Sequence, residues 1–311
     1  MKLSVIIPCL NAGATLATQL EALSGQRCQW HWEVIVCDNG SVDDSVHVAR
    51  RYAGKVPSLR VIDASRKKGP SYARNRGVEE AKAEAVAFCD ADDEVAPGWV
   101  RAMGDALMTH PVVHGQILFD KFNELGEAQN LARKWIDGLY REQFLPHAGS
   151  GNMGIWRSVH KATGGFDEDL PRFMDSDYCW RLMLEGYEFH YVPEAVLQYR
   201  IGRVNPSLTY QFQRGKTAAA ADYWQYKRFR PFGMELPAHR HLKPSFLHWI
   251  NLLMMLPYSC LINGRSRNDW LRQFAWRTGD MTGQLLGRLT DPCRPYYPRK
   301  NTSNRKHAMF S

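Results

Sequence analysis

The sequence predicts an α/β fold built on a mostly parallel sheet flanked by helices, followed by a helical, basic extension. Two observations predict the sheet: apolar strand segments alternate with helical segments over residues 1–100, and acidic side chains directly follow two of these strands. A change in charge predicts the extension. Residues 1–199 carry 21 Lys and Arg against 27 Asp and Glu, whereas residues 200–311 carry 19 against 5. We therefore expect an acidic site in the first part and a surface that meets something anionic in the second.

The first hundred residues follow a βαβαβαβ order. Residues 3–7 form an apolar run interrupted only by Ser4, which is typical of a strand buried on both faces. The next helix places Leu16, Leu20 and Leu23 on one face. The elements that follow are a strand at 33–37, a helix capped by Ser41, a strand at 59–62, a helix at 71–83 and a strand at 85–89. This order predicts parallel strands joined by right-handed crossovers.

Beyond residue 95 the pattern is less regular. It predicts a helix at 97–109, a strand at 112–119, a turn at 164–168, a helix at 175–184 and short strands at 188–192 and 195–199. Residues 121–147 are polar and mixed, and no element is predicted there. In the extension, residues 245–262 are apolar but are interrupted by polar residues and a proline, so no membrane-spanning helix is predicted. Residues 270–289 predict an amphipathic helix lying on a surface.

Acidic residues follow two strands of the predicted sheet. Asp38 comes directly after the second strand, and Asp90 and Asp92 come after the fourth. In a parallel sheet, ligands bind beyond the carboxyl ends of the strands. Clustered carboxylates repel one another unless a cation offsets their charge, and Mg²⁺ or Mn²⁺ prefers carboxylate and phosphate oxygens together. These acids therefore predict a clamp for a metal–diphosphate group, the alternative being a solvated acidic loop with an adventitious cation.

Several motifs resemble those of family-2 glycosyltransferases with the GT-A fold. Over residues 1–100 they are Val5-Ile-Ile-Pro-Cys-Leu-Asn11, Val36-Cys-Asp-Asn-Gly-Ser41 with Asp43, Gly69-Pro-Ser-Tyr-Ala-Arg-Asn75 and Phe88-Cys-Asp-Ala-Asp-Asp93. Farther on they are Gly151-Asn-Met-Gly154, Gly164-Gly-Phe-Asp-Glu168 and Asp175-Ser-Asp-Tyr-Cys-Trp-Arg181. The resemblance covers about two-thirds of the chain. It implies a Rossmann-like, mostly parallel sheet and inverting sugar transfer from a nucleotide-sugar donor.

The resemblance also implies residues that contact the nucleotide. Asp38 would accept a hydrogen bond from the imide N–H of uracil, an edge that thymine shares. Pro8 and Asn11 would line the base pocket, although turn formation explains both equally well. Arg74 would face the nucleotide, the alternative being a solvent-facing arginine on a helix. Asp90 would contact the ribose.

The metal and the general base are implied in the same way. Asp92 would bind Mn²⁺ or Mg²⁺, which stabilises the charge of the departing diphosphate. Asp175 would take the proton of the acceptor hydroxyl, with Asp177 in reserve. The Glu of the family's Glu-Asp-x-Asp pattern is replaced here by Met174, which puts the positioning of the base in doubt. The alternatives are that Asp175 caps its helix and that Asp177 forms a surface ion pair with Arg181.

The implied organisation has a nucleotide-sugar-binding half at 1–110, an acceptor-binding half at 111–204 and a basic, aromatic-rich, mainly helical extension at 205–311. Within the extension, residues 211–215 read Gln-Phe-Gln-Arg-Gly, which only partly matches the Gln-x-x-Arg-Trp motif of processive synthases, so we expect a non-processive enzyme. The extension interleaves cations with aromatic rings. We expect it to meet an anionic membrane surface that presents a lipid-linked saccharide acceptor; a solvated face packed on the catalytic domain is the alternative. Nucleic acid is not expected as a partner.

Cysteine usage and the start of the chain bear on location. The seven cysteines are scattered without C-x-x-C spacing, which favours a reducing compartment. The initial apolar run is short and is interrupted by Pro8, so a first strand is predicted there and not a signal peptide. We therefore expect a cytoplasmic protein, peripheral on the inner face of the cell membrane through the extension.

Two other functions compete with sugar transfer. Asp-x-Asp after a strand also occurs in phosphohydrolases of the haloacid-dehalogenase type, but there a Gly-Thr usually follows the second Asp, and here Asp93 and Glu94 follow it. The other rival is a nucleotide-sugar-binding protein without catalysis, which the Met174 departure makes plausible.

Overall fold

The computed structural model describes residues 2–141, 144–202, 207–236, 242–254, 264–291 and 296. The chain separates into two compact units. Unit 1 consists of the described residues up to Glu168 and of Met174–Ile201, and unit 2 consists of Asp169–Phe173 and the described part of Gly202–Tyr296. The predicted boundary between a donor half and an acceptor half near residue 110 stays a prediction.

The described part of unit 1 contains a large sheet and a small one. Its strands are β1 (Leu3–Cys9), β2 (Trp32–Asp38), β3 (Arg60–Asp63), β4 (Ala85–Phe88), β5 (Glu94–Val95), β6 (Val112–Leu118), β7 (Trp135–Ile136), β8 (Leu139–Tyr140), β9 (His147–Ala148), β10 (Met153–Trp156) and β11 (His190–Gln198). The large sheet has the order β3-β2-β1-β4-β10-β6-β11-β5, and the small sheet has the order β7-β8-β9. Strands β3, β2, β1 and β4 run parallel, as predicted, while β10 and β5 run antiparallel to their neighbours.

The α-helices of unit 1 are α1 (Leu16–Ser24), α2 (Ser45–Arg51), α3 (Pro70–Glu80), α4 (Trp99–Ala106), α5 (Leu125–Ala132), α6 (Arg157–Ala162) and α7 (Met174–Leu184). They cover both faces of the large sheet because its central strands are apolar on both sides. In β1, Val5 and Ile7 join the core with α1 and α4, whereas Ile6 joins the core with α3 and α7. Leu16, Leu20 and Leu23 are fully buried, which confirms the predicted apolar face of the first helix.

Several elements of unit 1 differ from the prediction. Residues 121–147, where no element was predicted, contain α5 and strands of the small sheet. The two short strands predicted at 188–192 and 195–199 form one strand, β11, whose register shifts between Val192 and Val196. Pro193 lies inside that irregularity, where its missing N–H breaks no regular ladder.

The predicted helix cap at Ser41 is wrong. The second helix begins four residues later, at Ser45, with Asp44 at its N-cap position. The Ser41 hydroxyl instead accepts a hydrogen bond from the backbone N–H of Asn11, at 3.0 Å. The loop after β2 therefore serves to tie two strand ends together.

The described helices of unit 2 are α8 (Leu208–Phe229), α9 (Leu242–Met254) and α10 (Gly264–Leu289). Helix α10 was predicted at 270–289 as a helix lying on a surface, but it packs along α8. Gly279 and Gly283 permit this contact, because a Cβ on either would lie within 2.1 Å of a backbone oxygen of α8. Trp270, Asp280 and Gln284 of α10 are buried as a result. No helix within the described ranges is long and apolar enough to cross a membrane.

Candidate active site

The candidate site lies in unit 1, at the carboxyl ends of β1, β2 and β4. Strand β1 is paired on one side with β2, where Cys9 lies opposite Asp38, and on the other side with β4, where Ile6 lies opposite Phe88. The residues that follow these strands therefore emerge at one edge of the sheet. Asp38 and Asp90 flank the end of β1 on either side.

Asp38 and Asn11 belong to two interlocked loops. One Asp38 carboxylate oxygen accepts the backbone N–H of Ser41 at 3.1 Å. The Asn11 side-chain oxygen accepts the N–H of Val42 at 2.9 Å, and Asn11 has a φ of 51°, a left-handed conformation that asparagine tolerates. Pro8 lies within β1, opposite Cys37. Turn formation thus fully accounts for Asn11, while Asp38 has one carboxylate oxygen engaged in its own loop.

Arg74 is buried and paired, so its alternative as a solvent-facing arginine is wrong. Its guanidinium donates to Asp90 Oδ1 at 2.5 Å, and its side chain is only 5% exposed. Burial by itself would lower the pKa of Arg74, but the charges of Asp90, Asp175 and Asp92 outweigh it, so the pKa is raised. Its Nε has no partner among the described residues. Arg74 is therefore a fixed positive charge placed among three acids.

The acidic loop (residues 90–93) follows β4 and is held from two sides. Arg200 donates its backbone N–H to Asp93 Oδ1 and its Nε to the Asp92 carbonyl, both at 2.8 Å. The Arg200 guanidinium also lies over the Phe122 ring, 3.7 Å from its centroid. On the other side, the buried Gln19 donates to the Asp90 carbonyl at 3.0 Å and accepts the N–H of Val95 at 2.9 Å.

The carboxyl groups of this loop are electrostatically crowded. The pKa of Asp93 is raised well above its usual value, first by burial and then by the charges of Asp90 and Asp92. The pKa of Asp92 is also raised, first because protein atoms displace water around its carboxyl group and then by the negative charge of Asp90. Asp92 presents more surface to solvent than Asp93, so water screens its charge more strongly. Asp93 Oδ2 is buried and has no partner among the described residues. A cation next to these carboxylates would relieve both the repulsion and the missing partner.

The carboxylates of the acidic loop could hold a divalent metal only together with further ligands. Within the described ranges, no three His, Cys, Asp or Glu side chains are grouped so that they could hold a metal ion by themselves. A Mg²⁺-type ion that also binds substrate phosphates needs only one or two protein carboxylates. Asp92 and the unpartnered Oδ2 of Asp93 supply such oxygens. Gly151 leaves room beside Asp90 and Asp93, since a Cβ there would lie 2.8 Å from Asp90 Oδ2 and 3.5 Å from Asp93 Oδ2. The residues therefore fit a metal bound jointly with phosphate.

Asp175 lies in the first turn of α7 and faces the same charges. Its Oδ1 is buried without a hydrogen-bond partner among the described residues. Its charge acts on Arg74 and on Tyr199, and Asp90 and Asp92 act on the same two side chains. The charge of Asp175 thus acts on the same two side chains as the charges of the acidic loop, and one of its carboxylate oxygens has no hydrogen-bond partner among the described residues.

Asp177 has a different environment. It is fully buried and forms an ion pair with Arg181 at 2.9 Å, and the Arg181 guanidinium also donates to the carbonyls of Thr163 and Gly165. The pair was predicted at the surface; that placement is wrong, because α7 packs this face into the core. Met174, which replaces a glutamate, packs against the same core. Asp177 is therefore committed to structure and is not available as a base.

From the sequence, Gln19 and Arg200 were not identified as parts of this site, and Gly151 was noted only within a motif that resembles the family. A signal for Gln19 was present: it lies three residues after Leu16 and one before Leu20, on the buried face of α1. A polar side chain in an apolar stripe needs a hydrogen-bond partner in the interior. Arg200 follows β11, but only the fold shows that this strand end lies beside the acidic loop.

Replacing Gln19 by Leu should destabilise unit 1, because the Asp90 carbonyl and the Val95 N–H would lose their partner. We expect a loss of about 1–3 kcal/mol for each unsatisfied group. Urea unfolding of the full chain measures this free energy, with Gln129→Leu as the control, since Gln129 lies exposed on α5. Equal unfolding midpoints for the two variants would show that Gln19 does not hold the loop.

Comparisons with known proteins agree on one family. A family model described as "Glycosyl transferase family 2" matches residues 4–164. The chain is 45% identical over 111 residues to the "Uncharacterized glycosyltransferase YibD" of Escherichia coli strain K12, a match covering 35% of this chain and 30% of that protein. The chain therefore spans about a third of YibD's length, and this match alone says nothing of the remainder.

Two solved structures share the fold. The mannosyltransferase PcManGT from Pyrobaculum calidifontis, in complex with GDP-Man and Mn²⁺, superposes with a TM-score of 0.58 at 16% identity, covering 93% of this chain and 86% of that chain. S. aureus TarS 1–349 in complex with UDP-GlcNAc gives a TM-score of 0.54 at 16% identity and covers 90% of each chain. At these identities the likeness shows the fold alone.

Proposed function

Because the chain belongs to glycosyl transferase family 2, we propose that it transfers one sugar from a nucleoside-diphosphate-sugar donor to an acceptor hydroxyl, with inversion at the anomeric carbon. The chain is a glycosyltransferase and its fold is GT-A. Membership of this family argues against the alternative function as a phosphohydrolase of the haloacid-dehalogenase type. The observation that supports the proposed reaction is the convergence of the acidic loop, Arg74 and Asp175 at one sheet edge.

The acidic loop is proposed to hold a divalent metal that would face the donor's diphosphate. Asp92 is assigned to the metal, with Asp93 Oδ2 added as a second carboxylate oxygen on the same side. Asp90 is assigned to the ribose, and its ion pair with Arg74 orients its carboxylate. The bound metal, Mn²⁺ or Mg²⁺, supplies positive charge that stabilises the departing nucleoside diphosphate.

Asp175 is proposed as the general base. Its Oδ1 accepts the proton of the acceptor hydroxyl while the hydroxyl oxygen forms a bond to the anomeric carbon of the sugar. The bond between the anomeric carbon and the diphosphate oxygen breaks on the opposite face of the sugar. The proposal is supported by the uncommitted Oδ1. The absence of the family's glutamate at Met174 is compatible with this role. Met174 packs against the core, and the position of Asp175 is set by the first turn of α7.

The base of the donor is proposed to be uracil or thymine. Asp38 can accept a hydrogen bond from the imide N–H through the carboxylate oxygen that Ser41 does not use. Pro8 and Asn11 lie at the same strand end and are proposed to line the base pocket. One similar structure contains UDP-GlcNAc and the other contains GDP-Man, so the comparisons do not select the nucleobase. The proposal of uracil or thymine therefore rests on Asp38.

A thermal-shift panel tests the donor proposal. UDP or dTDP with Mn²⁺ should raise the melting temperature of the full chain, because a ligand at 100 times its Kd adds about 2.7 kcal/mol to stability. GDP with Mn²⁺ should give a smaller shift, and each nucleotide should lose most of its effect in EDTA. If no nucleoside diphosphate stabilises the protein with Mn²⁺, the donor assignment fails.

The acceptor and the place of action are proposed from the extension. A lipid-linked saccharide at an anionic membrane surface fits the excess of Lys and Arg after residue 200. A cytoplasmic location is proposed from the scattered cysteines, of which Cys9, Cys28, Cys37, Cys89 and Cys179 are free in the structure.

A further inference from the structure

Helix α9 presents an apolar face to solvent. Phe246, Leu247, Leu253 and Met254 are 47%, 52%, 39% and 69% exposed, respectively. At about 100° per residue these positions, together with the partly exposed Ile250, fall within one third of the helix circumference. Soluble helices normally direct such a stripe inward. Here the stripe points outward, and contiguous exposed apolar surface of this kind marks an interaction site.

The neighbouring face of α9 is already used by unit 2. The Trp249 indole N–H donates to Thr278 Oγ1 of α10 at 3.0 Å, and the Trp249 ring lies 6.0 Å from the Phe274 ring. Leu252 is buried on the same side. Because α9 is anchored to α10 through these residues, the outward stripe is a fixed feature of the folded unit.

The positive charge of the extension indicates which partner binds the apolar face of α9. Residues 200–311 carry 19 Lys and Arg against 5 Asp and Glu. A second copy of the chain would bring an equally positive extension to the interface, and the two would repel each other. Nucleic acid would match the charge, but the aliphatic Leu247, Leu253 and Met254 offer it no stacking surface or hydrogen bonds. An anionic lipid bilayer matches both features, since it offers negative headgroups above an apolar interior.

We infer that α9 is the element through which this chain docks on an anionic bilayer, lying in the interface with Phe246, Leu247, Ile250, Leu253 and Met254 in the acyl region. This deepens the membrane location proposed above by naming the contact residues. The helix is about 20 Å long at 1.5 Å per residue, so it lies along the surface and does not cross the membrane. The basic residues of the extension would strengthen binding through the lipid headgroups.

Vesicle sedimentation with the full chain tests this inference. The wild type should bind vesicles of phosphatidylglycerol and phosphatidylcholine in equal parts, and it should bind phosphatidylcholine alone far less. Leu253→Ser with Met254→Ser should lower the partition coefficient roughly a hundredfold, about tenfold for each side chain no longer buried in lipid. A matched control, Met108→Ser with Leu125→Ser, removes the same residue types from exposed positions of unit 1, 59% and 73% exposed, and should bind as the wild type does.

Two further readouts separate the explanations. Circular dichroism and the UDP–Mn²⁺ thermal shift should be the same for the α9 variant and the wild type, so a failure of the donor proposal cannot be mistaken for a failure of docking. Unchanged vesicle binding by the α9 variant overturns the inference. It is also overturned if light scattering shows a wild-type dimer that the α9 variant loses, without any difference in vesicle binding.

Discussion

Asp175→Asn is expected to lower the rate of sugar transfer roughly 10²–10⁴-fold, the range that a positioned general base contributes. The asparagine keeps the size of the side chain but cannot accept the acceptor's proton. Because Asp175 Oδ1 makes no hydrogen bond among the described residues, the substitution breaks no structural contact there. The affinity for the nucleotide with Mn²⁺ should therefore change little. Release of nucleoside diphosphate from a sugar donor carrying the nucleotide that the thermal-shift panel favours measures the rate, and calorimetry measures the affinity for that nucleotide with Mn²⁺.

Asp137→Asn is the matched control for this variant. Asp137 is an exposed aspartate in the turn between β7 and β8, with a φ of 50° that asparagine also tolerates. The rate of sugar transfer by Asp137→Asn should equal that of the wild type. Asp177→Asn is unsuitable as a control, because breaking its buried ion pair with Arg181 should cost about 3–5 kcal/mol of stability. A rate for Asp175→Asn within a few fold of the wild type would refute the assignment and revive the reading of a donor-binding protein without catalysis.

The parallel half of the sheet was predictable because its signals are local and strong. Apolar runs such as 3–7 and 85–88 are buried on both sides, and an acid directly after such a strand can only emerge at one edge of a parallel sheet. Asp38, Asp90 and Asp92 were placed in this way. Their grouping follows from strand order alone, whatever the loops do.

The rest of the site depends on long-range packing that no local pattern encodes. Strand β10 runs antiparallel between β4 and β6, and this brings Gly151 beside Asp90 from sixty residues away in the sequence. Arg200 reaches the acidic loop only because β11 pairs with β5. The strands of the small sheet have two residues each, too short for a periodic signal.

Asp92→Ala is expected to abolish metal-dependent turnover, a loss of about 10³-fold or more if the metal supplies several kcal/mol to the transition state. Unlike Asp175→Asn, this variant should also lose the Mn²⁺-dependent part of UDP binding, because Asp92 is the residue proposed to hold the metal. Calorimetry of UDP binding with Mn²⁺ and in EDTA separates the two effects. The fold should survive, since the carbonyl that Arg200 contacts belongs to the backbone of residue 92 and is retained.

Glu127→Ala provides the control, as it removes an exposed carboxylate from the first turn of α5 and introduces a good helix former. Its turnover and its response to Mn²⁺ should match the wild type. The comparison of Asp92→Ala with Asp175→Asn is the decisive one. If the carboxylates play separate roles, one variant loses metal-linked binding and turnover together, while the other keeps binding and loses turnover alone. If Asp92→Ala binds UDP with Mn²⁺ as tightly as the wild type, the assignment of Asp92 to the metal is wrong, and the buried, unpartnered Asp93 Oδ2 would have to be the main metal ligand.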